Sequence, residues 1–126
     1  MNQANVPSKG GHYSPWKQAG NLVFVSGQVP RDSERRLLGS SIEEQTAATL
    51  DNLEKVLRLA GSSLTNLVKV NVYLTSMSDF QGFNRAYALR MGDASPARTT
   101  VGCNLNGVLV EVDGIAVVES PNPTGD

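Results

Sequence analysis

Residues 41–74 read SIEEQTAATLDNLEKVLRLAGSSLTNLVKVNVYL, a helical pattern followed directly by a strand pattern. Ser41 and Glu44 have the spacing of a capping box, which satisfies free N–H groups where a helix begins. Gly61 lies where a left-handed residue commonly follows a helix end. The pattern therefore predicts a helix over residues 41–60. Its apolar stripe consists of Ala47, Leu50, Leu53, Leu57 and Ala60.

One strand is predicted on each side of this helix in the sequence. From Val68 to Leu74, apolar and polar side chains alternate with the period of two that marks a half-buried strand. Residues 21–28, NLVFVSGQ, form a short and nearly continuous apolar run, which predicts a strand buried on both faces. Between the strand at residues 21–28 and the helix, the charge run RDSERR at 31–36 predicts a solvated turn.

A second helix is predicted after the strand that ends at Leu74. Phe80, Phe83 and Tyr87 form an apolar stripe at helical spacing. Ser78 or Asp79 is the expected cap.

Two strand patterns close the chain, at residues 97–103 and 108–118, and the Asn106-Gly107 dipeptide between them predicts a hairpin turn. The order of strands, helix, strand, helix and strands predicts an α+β fold: a sheet of about five or six strands with both helices on one face. Apolar side chains on the other face predict self-association, because two helices cannot cover both faces. The pattern alone does not give the number of copies.

Length and composition limit the class of protein. The 126 residues fit one domain, 1–126, with flexible ends expected at 1–10 and 119–126. The net charge of −1 argues against binding nucleic acid through its phosphates. A single cysteine, Cys103, and a single histidine, His12, argue against a disulfide within the chain and against the common metal sites, so no metal or cofactor is expected. No apolar run has the length of a membrane span or a signal peptide, so we expect a cytoplasmic protein without membrane association.

Three charged residues are the main candidates for chemistry. Arg98 opens a predicted strand, which would hold its planar fork still for a carboxylate; the alternative is a surface arginine paired with Asp93 or Glu111. Glu111 and Asp113 share one strand face. A carboxylate sheltered in an apolar interface has a raised pKa and can transfer protons near neutral pH. The alternative is that both carboxylates simply face solvent.

Further polar residues have weaker claims to a function. Tyr13 supplies a phenol near a ligand or only packs the N-terminal arm. Asn84 is expected to hydrogen-bond a neighbouring loop. Cys103 has no histidine near it in sequence, so a buried apolar role is favoured over a nucleophilic one.

Five segments carry a resemblance to a known family. They are GHYS at 11–14, GNLVFVSGQVP at 20–30, FNRAY at 83–87, PARTTV at 96–101 and VEVDGIA at 110–116. In this order, they resemble the RidA (YjgF) family of enamine/imine deaminases, also called L-PSP endoribonucleases.

The resemblance implies a chorismate-mutase-like fold that assembles as a homotrimer with one cleft between each pair of subunits. By the same resemblance, Arg98 would hold a substrate carboxylate and Glu111 would act with a water at the imine carbon. The residues implied in substrate binding are Tyr13, Ser26, Gly27, Asn84 and Arg98.

The implied reaction is hydrolysis of 2-aminoacrylate-like or 2-iminopropanoate-like intermediates to 2-keto acids and ammonia, which needs no cofactor. Two alternatives stay open. One is an endoribonuclease that inhibits translation, and the other is a non-catalytic module that binds small carboxylates and needs only Arg98. The chain departs from the family pattern at Pro15, Thr100 and Asn106, which leaves its substrate range open.

Overall fold

The computed structural model describes residues 11–118. Its elements are β1 (Trp16–Ala19), β2 (Leu22–Gln28), α1 (Ile42–Leu59), β3 (Leu67–Leu74), α2 (Phe80–Met91), β4 (Ala97–Gly102) and β5 (Val110–Val117). The strands form one mixed sheet in the order β1-β2-β5-β3-β4, in which only the β3–β4 pair is parallel. The predicted α+β fold is confirmed, with five strands in the described range, whereas the ends predicted to be flexible, 1–10 and 119–126, lie outside it.

Helix α1 begins with the predicted capping box. The Ser41 hydroxyl accepts a hydrogen bond from the Glu44 amide at 3.1 Å, and the Glu44 carboxylate accepts one from the Ser41 amide at 3.3 Å. Leu50, Leu53 and Leu57 are fully buried beneath the helix. Burying each of these side chains contributes about 1.5–3 kcal/mol, so the three leucines anchor α1 to the sheet. Ala47, the first residue of the predicted stripe, is exposed instead.

Helix α2 begins differently from the prediction. The Ser76 hydroxyl, not a side chain at Ser78 or Asp79, accepts the first capping hydrogen bond, from the Ser78 amide at 3.2 Å. This bond closes a short 3₁₀ turn, Met77–Asp79, that leads into the helix. Asp79 is the N-cap residue of α2, as predicted, but a capping hydrogen bond from its side chain is wrong, because the chain enters α2 through this tighter turn.

The predicted hairpin around Asn106-Gly107 is also wrong. β4 and β5 lie on opposite sides of β3 and are not paired with each other. Helix α2 carries the chain across from β3 to a parallel β4 at the sheet edge, as parallel pairing requires. The segment around Gly107 is then a longer connection that returns the chain to the centre of the sheet.

The helices cover only one of the two faces of the sheet. Val23 and Val25 of β2 are buried on the helix side, but Phe24 on the other side is 42% exposed. The expectation that this strand is buried on both faces is therefore wrong within one chain, since neither helix covers the second face. We call that second face the uncovered face. Its members include Phe24, Tyr73, Val101, Glu111, Asp113 and Ile115.

Candidate active site

Glu111 lies on the uncovered face at the wall of a cavity. Its neighbours Val110 and Val112 are buried in the core, so the alternation of β5 directs Glu111 away from the helices, opposite Tyr73. The side chain is half-buried. The cavity has a volume of about 150 Å³, and its walls include Tyr13, Gly27, Val29, Arg31, Asn106 and Glu111.

A β-bulge brings the backbone of β2 against Glu111. Val25 pairs with Gly114 and Gln28 with Val112, so two residues, Ser26 and Gly27, stand opposite one residue of β5. A Cβ added at Gly27 would lie 2.9 Å from Cδ of Glu111. A side chain at position 27 would therefore push the end of the Glu111 side chain aside.

Ser26 uses its polar groups to hold the preceding segment. Its hydroxyl donates to the Ser14 carbonyl at 2.6 Å, and its amide donates to the Pro15 carbonyl at 3.0 Å. These two bonds fix the chain next to Tyr13 along β2. Ser26 thus shapes the cavity wall through the segment it holds.

The two neighbouring carboxylates have different surroundings. Asp113 accepts hydrogen bonds from the Asn71 amide group at 2.9 Å and from the Tyr73 hydroxyl at 2.7 Å. The bond to Asp113, with burial and nearby negative charge, raises the pKa of Tyr73 to about 12. Glu111 makes no hydrogen bond or ion pair with any residue of the described range. Burial first, and then the charge of Asp113, raise the pKa of Glu111 above its ordinary value.

Arg98 lies on the helix side of the sheet. It pairs with the buried Val70 of β3, and its Nη2 donates to Oδ1 of Asn84 on α2 at 2.8 Å. Its guanidinium carbon is 4.9 Å from the ring centre of Tyr87 and 5.2 Å from that of Phe83, within the range of cation–π attraction. The alternative of a surface arginine is wrong, because Arg98 is half-buried against this helix.

The sequence-predicted partners of Arg98 and Asn84 are corrected by the same contacts. Within residues 11–118, no ion pair joins Arg98 to Asp93 or Glu111. Asn84 bonds to a strand arginine rather than to a neighbouring loop. Near this pair, the Tyr87 hydroxyl is buried without a hydrogen-bond partner among the described residues.

The predicted site residues therefore form two groups. Tyr13, Ser26, Gly27 and Glu111 lie together at the cavity. Arg98 and Asn84 lie together between β4 and α2, on the other side of the sheet. One chain does not bring the two groups together.

Two other residues differ from the sequence interpretation. Cys103 is exposed rather than buried, because β4 ends one residue before it at the edge of the sheet. Arg31, from the turn predicted to be solvated, lines the Glu111 cavity. The charge run could not single out Arg31, since its position depends on the segment around Gly107 folding back beside it.

The described range also bears on metals and membranes. Among residues 11–118, no cluster of three or more His, Cys, Asp or Glu side chains is arranged to hold a metal ion. Neither helix of that range is long and apolar enough to cross a membrane.

Comparison with known proteins gives the family. Residues 3–118 match the family model Endoribonuclease L-PSP. Protein mmf2, mitochondrial, of Schizosaccharomyces pombe is 41% identical over 114 residues, which cover 86% of this chain and 90% of the relative. The crystal structure of RidA from the Antarctic bacterium Psychrobacter sp. PAMC 21119 matches with a TM-score of 0.84 and 31% identity, over 90% of this chain and 94% of that one. E. coli TdcF with bound serine matches with a TM-score of 0.85 and 26% identity, over 94% and 97%. The chain belongs to the L-PSP family, in which RidA and YjgF are found, as the sequence motifs implied.

Proposed function

We propose that this protein hydrolyses reactive enamine and imine intermediates, of the 2-aminoacrylate and 2-iminopropanoate kind, to 2-keto acids and ammonia. The observation that carries the proposal is Glu111. It is a half-buried carboxylate with a raised pKa, it has no protein partner in the described range, and it lines a cavity. A carboxyl group in this state is suited to transfer protons.

The chemistry needs little beyond position and one proton carrier. The enamine tautomerises to an imine, whose carbon is electrophilic. Glu111 accepts a proton from a water whose oxygen bonds to that carbon, and then returns the proton to the nitrogen. Glu111 then takes the remaining proton from the new hydroxyl group and passes it to the amino nitrogen. As the carbon–nitrogen bond breaks, ammonia leaves and the oxygen becomes the keto group. Because its pKa is raised, Glu111 holds a transferred proton more readily than an ordinary glutamate does, which suits it to accept a proton and return it.

Arg98 is the proposed receptor for the substrate carboxylate. Its bond to Asn84 and its contacts with the rings of Phe83 and Tyr87 hold the plane of the guanidinium in one orientation. A fixed fork forms two parallel hydrogen bonds to a carboxylate. E. coli TdcF, which matches this chain in fold, is described with bound serine, itself a small carboxylate.

The proposed assembly is a homotrimer in which Arg98 of one copy meets Glu111 of the next. The two residues lie on opposite sides of the sheet in one chain, so a shared site requires a second copy. Exposed apolar side chains on the uncovered face, such as Phe24 and Val101, support burial against a neighbour. The number three comes from the family resemblance.

RNA cleavage is the second candidate, because the matching family model is named for it. The net charge of −1 argues against an RNA interface built on phosphate contacts.

The cytoplasm is the proposed compartment, although the related protein mmf2 is described as mitochondrial.

The decisive experiment measures ammonia and pyruvate released from freshly generated 2-iminopropanoate. We expect the protein to accelerate release over buffer, and Glu111→Gln to abolish most of the acceleration. Parallel incubation with messenger RNA should leave the RNA intact. No acceleration, together with cleaved RNA, would favour the endoribonuclease. No acceleration with intact RNA would leave a carboxylate-binding module.

A further inference from the structure

Arg31 holds a guanidinium in the wall of the Glu111 cavity. Its Nη1 donates to the Arg35 carbonyl at 3.0 Å, and its Nη2 lies 3.4 Å from the Asn106 carbonyl and 3.5 Å from the Gly107 carbonyl. These carbonyls belong to two separate loops, which together fix the fork. Because carbonyls are neutral, they hold the guanidinium without neutralising its charge.

Arg31 differs in this respect from Arg36. Arg36, in the same turn, forms ion pairs with Asp32 at 3.0 Å and with Glu34 at 3.1 Å. No ion pair joins Arg31 to any carboxylate among residues 11–118, although it is half-buried. A partly buried cation without a counter-charge favours an anionic group in the cavity that it lines.

We propose that Arg31 is a specificity-determining residue that selects imino acids whose side chain ends in a second carboxylate, the imines of acidic amino acids. The inference rests on the proposed deamination. In that reaction Arg98 of a neighbouring copy holds the carboxylate beside the imine, and Glu111 acts at the imine carbon. The distal carboxylate then reaches Arg31, which lines the same cavity as Glu111.

The cavity favours a substrate with an acidic side chain and disfavours one with an apolar side chain. Its volume of about 150 Å³ holds several water molecules, so a short acidic side chain can displace water there. A carboxylate gains charge-assisted hydrogen bonds from the guanidinium. An apolar side chain would instead remove water from the guanidinium and leave its positive charge without a counter-charge. We expect a preference for the acidic imine of roughly 10- to 150-fold in kcat/KM, the factor that such hydrogen bonds give.

The test compares two imines made in place by amino-acid oxidases, 2-iminopropanoate from alanine and 2-iminoglutarate from glutamate. Arg31→Met removes the charge and keeps the length of the side chain. We expect it to lose at least about tenfold in kcat/KM for 2-iminoglutarate and less than about twofold for 2-iminopropanoate. Arg36→Met is the matched control, because it removes the same charge from the same turn outside the cavity wall. It should keep the wild-type preference.

Arg31→Lys keeps the charge without the fork, so it should retain only part of the preference. If Arg31→Met fails to fold, this variant still tests whether the preference depends on the guanidinium. An equal loss for both imines in Arg31→Met, no loss for either, or a full preference in Arg31→Lys would each overturn the assignment.

A binding measurement separates this inference from the proposed function. If the wild-type protein accelerates neither imine, the proposed deamination fails, and calorimetry with 2-oxoglutarate and 2-oxobutyrate then tests Arg31 alone. Tighter binding of 2-oxoglutarate that Arg31→Met removes would support selection of a second carboxylate. Equal affinities of the wild-type protein for the two keto acids would overturn it.

Discussion

Gly27 lies so close to Glu111 that a Cβ at position 27 would stand 2.9 Å from Cδ of the glutamate. The β-bulge at Ser26 and Gly27 brings the backbone there. Within residues 11–118 no hydrogen bond orients the Glu111 carboxylate. Its place at the cavity therefore depends on packing against a residue that has no side chain.

Gly27→Ala should displace Glu111 and slow imine hydrolysis. A misplacement of about 1 Å in a catalytic group costs roughly 10²-fold. The added methyl group should also lower the free energy of unfolding by about 1 kcal/mol, the low end for overpacking, because the end of the Glu111 side chain can move into the cavity. Kinetics with 2-iminopropanoate and denaturant unfolding measure the two effects.

The double variant Gly27→Ala with Glu111→Ala is the control for this clash. Because the shortened side chain leaves space for the methyl group, the stability cost of Gly27→Ala should shrink in the Glu111→Ala background. The same cost in both backgrounds would mean that Glu111 does not occupy that space.

Arg98→Ala should lower kcat/KM by roughly 10- to 150-fold while the protein stays folded, because charge-assisted hydrogen bonds to a carboxylate are lost. Arg98→Lys should recover only part, since a point charge cannot replace the fork. Asn84→Ala should have a smaller effect that disappears in the Arg98→Ala background, because Asn84 acts by orienting Arg98. Unchanged kcat/KM in Arg98→Ala would remove Arg98 from the site.

Local patterns predicted most of the fold. The Ser41–Glu44 capping box and the alternation from Val70 to Leu74 act over a few residues, and both have their predicted structure. Val68, the first apolar residue of the predicted alternation, is instead 46% exposed, because the pairing with β5 shifts register between Leu67 and Lys69. The hairpin at Asn106-Gly107 was wrong because pairing is decided by competition among distant strands. β5 pairs with β3 and β2 instead of β4.

The candidate site was predictable only in part, for the same reason. Strand alternation placed Glu111 and Asp113 on one face of the sheet. It could not show that Asn71 and Tyr73 donate hydrogen bonds to Asp113, whereas no described residue bonds to Glu111. Those bonds join residues 40 and 42 positions apart. One signal was present in the sequence. Asn71 and Tyr73 occupy the polar positions of the β3 alternation, so a polar partner for them was to be expected on the same face of the sheet.

The wild-type protein should scatter light as about three chain masses at micromolar concentration. The uncovered face needs a partner, and the family resemblance implies three copies. Val101→Asp should dissociate the assembly, since it adds a charge to that face. Leu89→Asp is the matched control: Leu89 is 87% exposed on α2, away from the sheet. A stable wild-type monomer would contradict both the assembly and a site shared between copies.

The stability of the protein should carry a pH-dependent penalty from Glu111. Its pKa in the folded state is raised from the ordinary value of 4.5, chiefly by burial, so the folded state binds this proton more tightly than the unfolded state. The wild-type protein should therefore lose stability relative to Glu111→Gln as the pH rises from 4.5 through the raised pKa. Denaturant unfolding of both proteins at pH 4 and pH 8 measures the difference. A wild-type protein that gains on the variant as the pH rises would mean that its ionised carboxylate has a stabilising partner.

The final prediction ranks the two carboxylates by their effect on catalysis. Glu111→Gln keeps the shape and removes the ionisation, so it should slow imine hydrolysis by about 10²-fold or more. Asp113→Asn should slow it much less, because Asp113 is already bonded to Asn71 and Tyr73. The charge of Asp113 helps to raise the pKa of Glu111, so Asp113→Asn should also move the acidic limb of the pH–rate profile to lower pH. If the two variants rank the other way, Asp113 is the proton carrier. If both keep full activity, a bound water suffices, and the protein acts as a template that binds carboxylates.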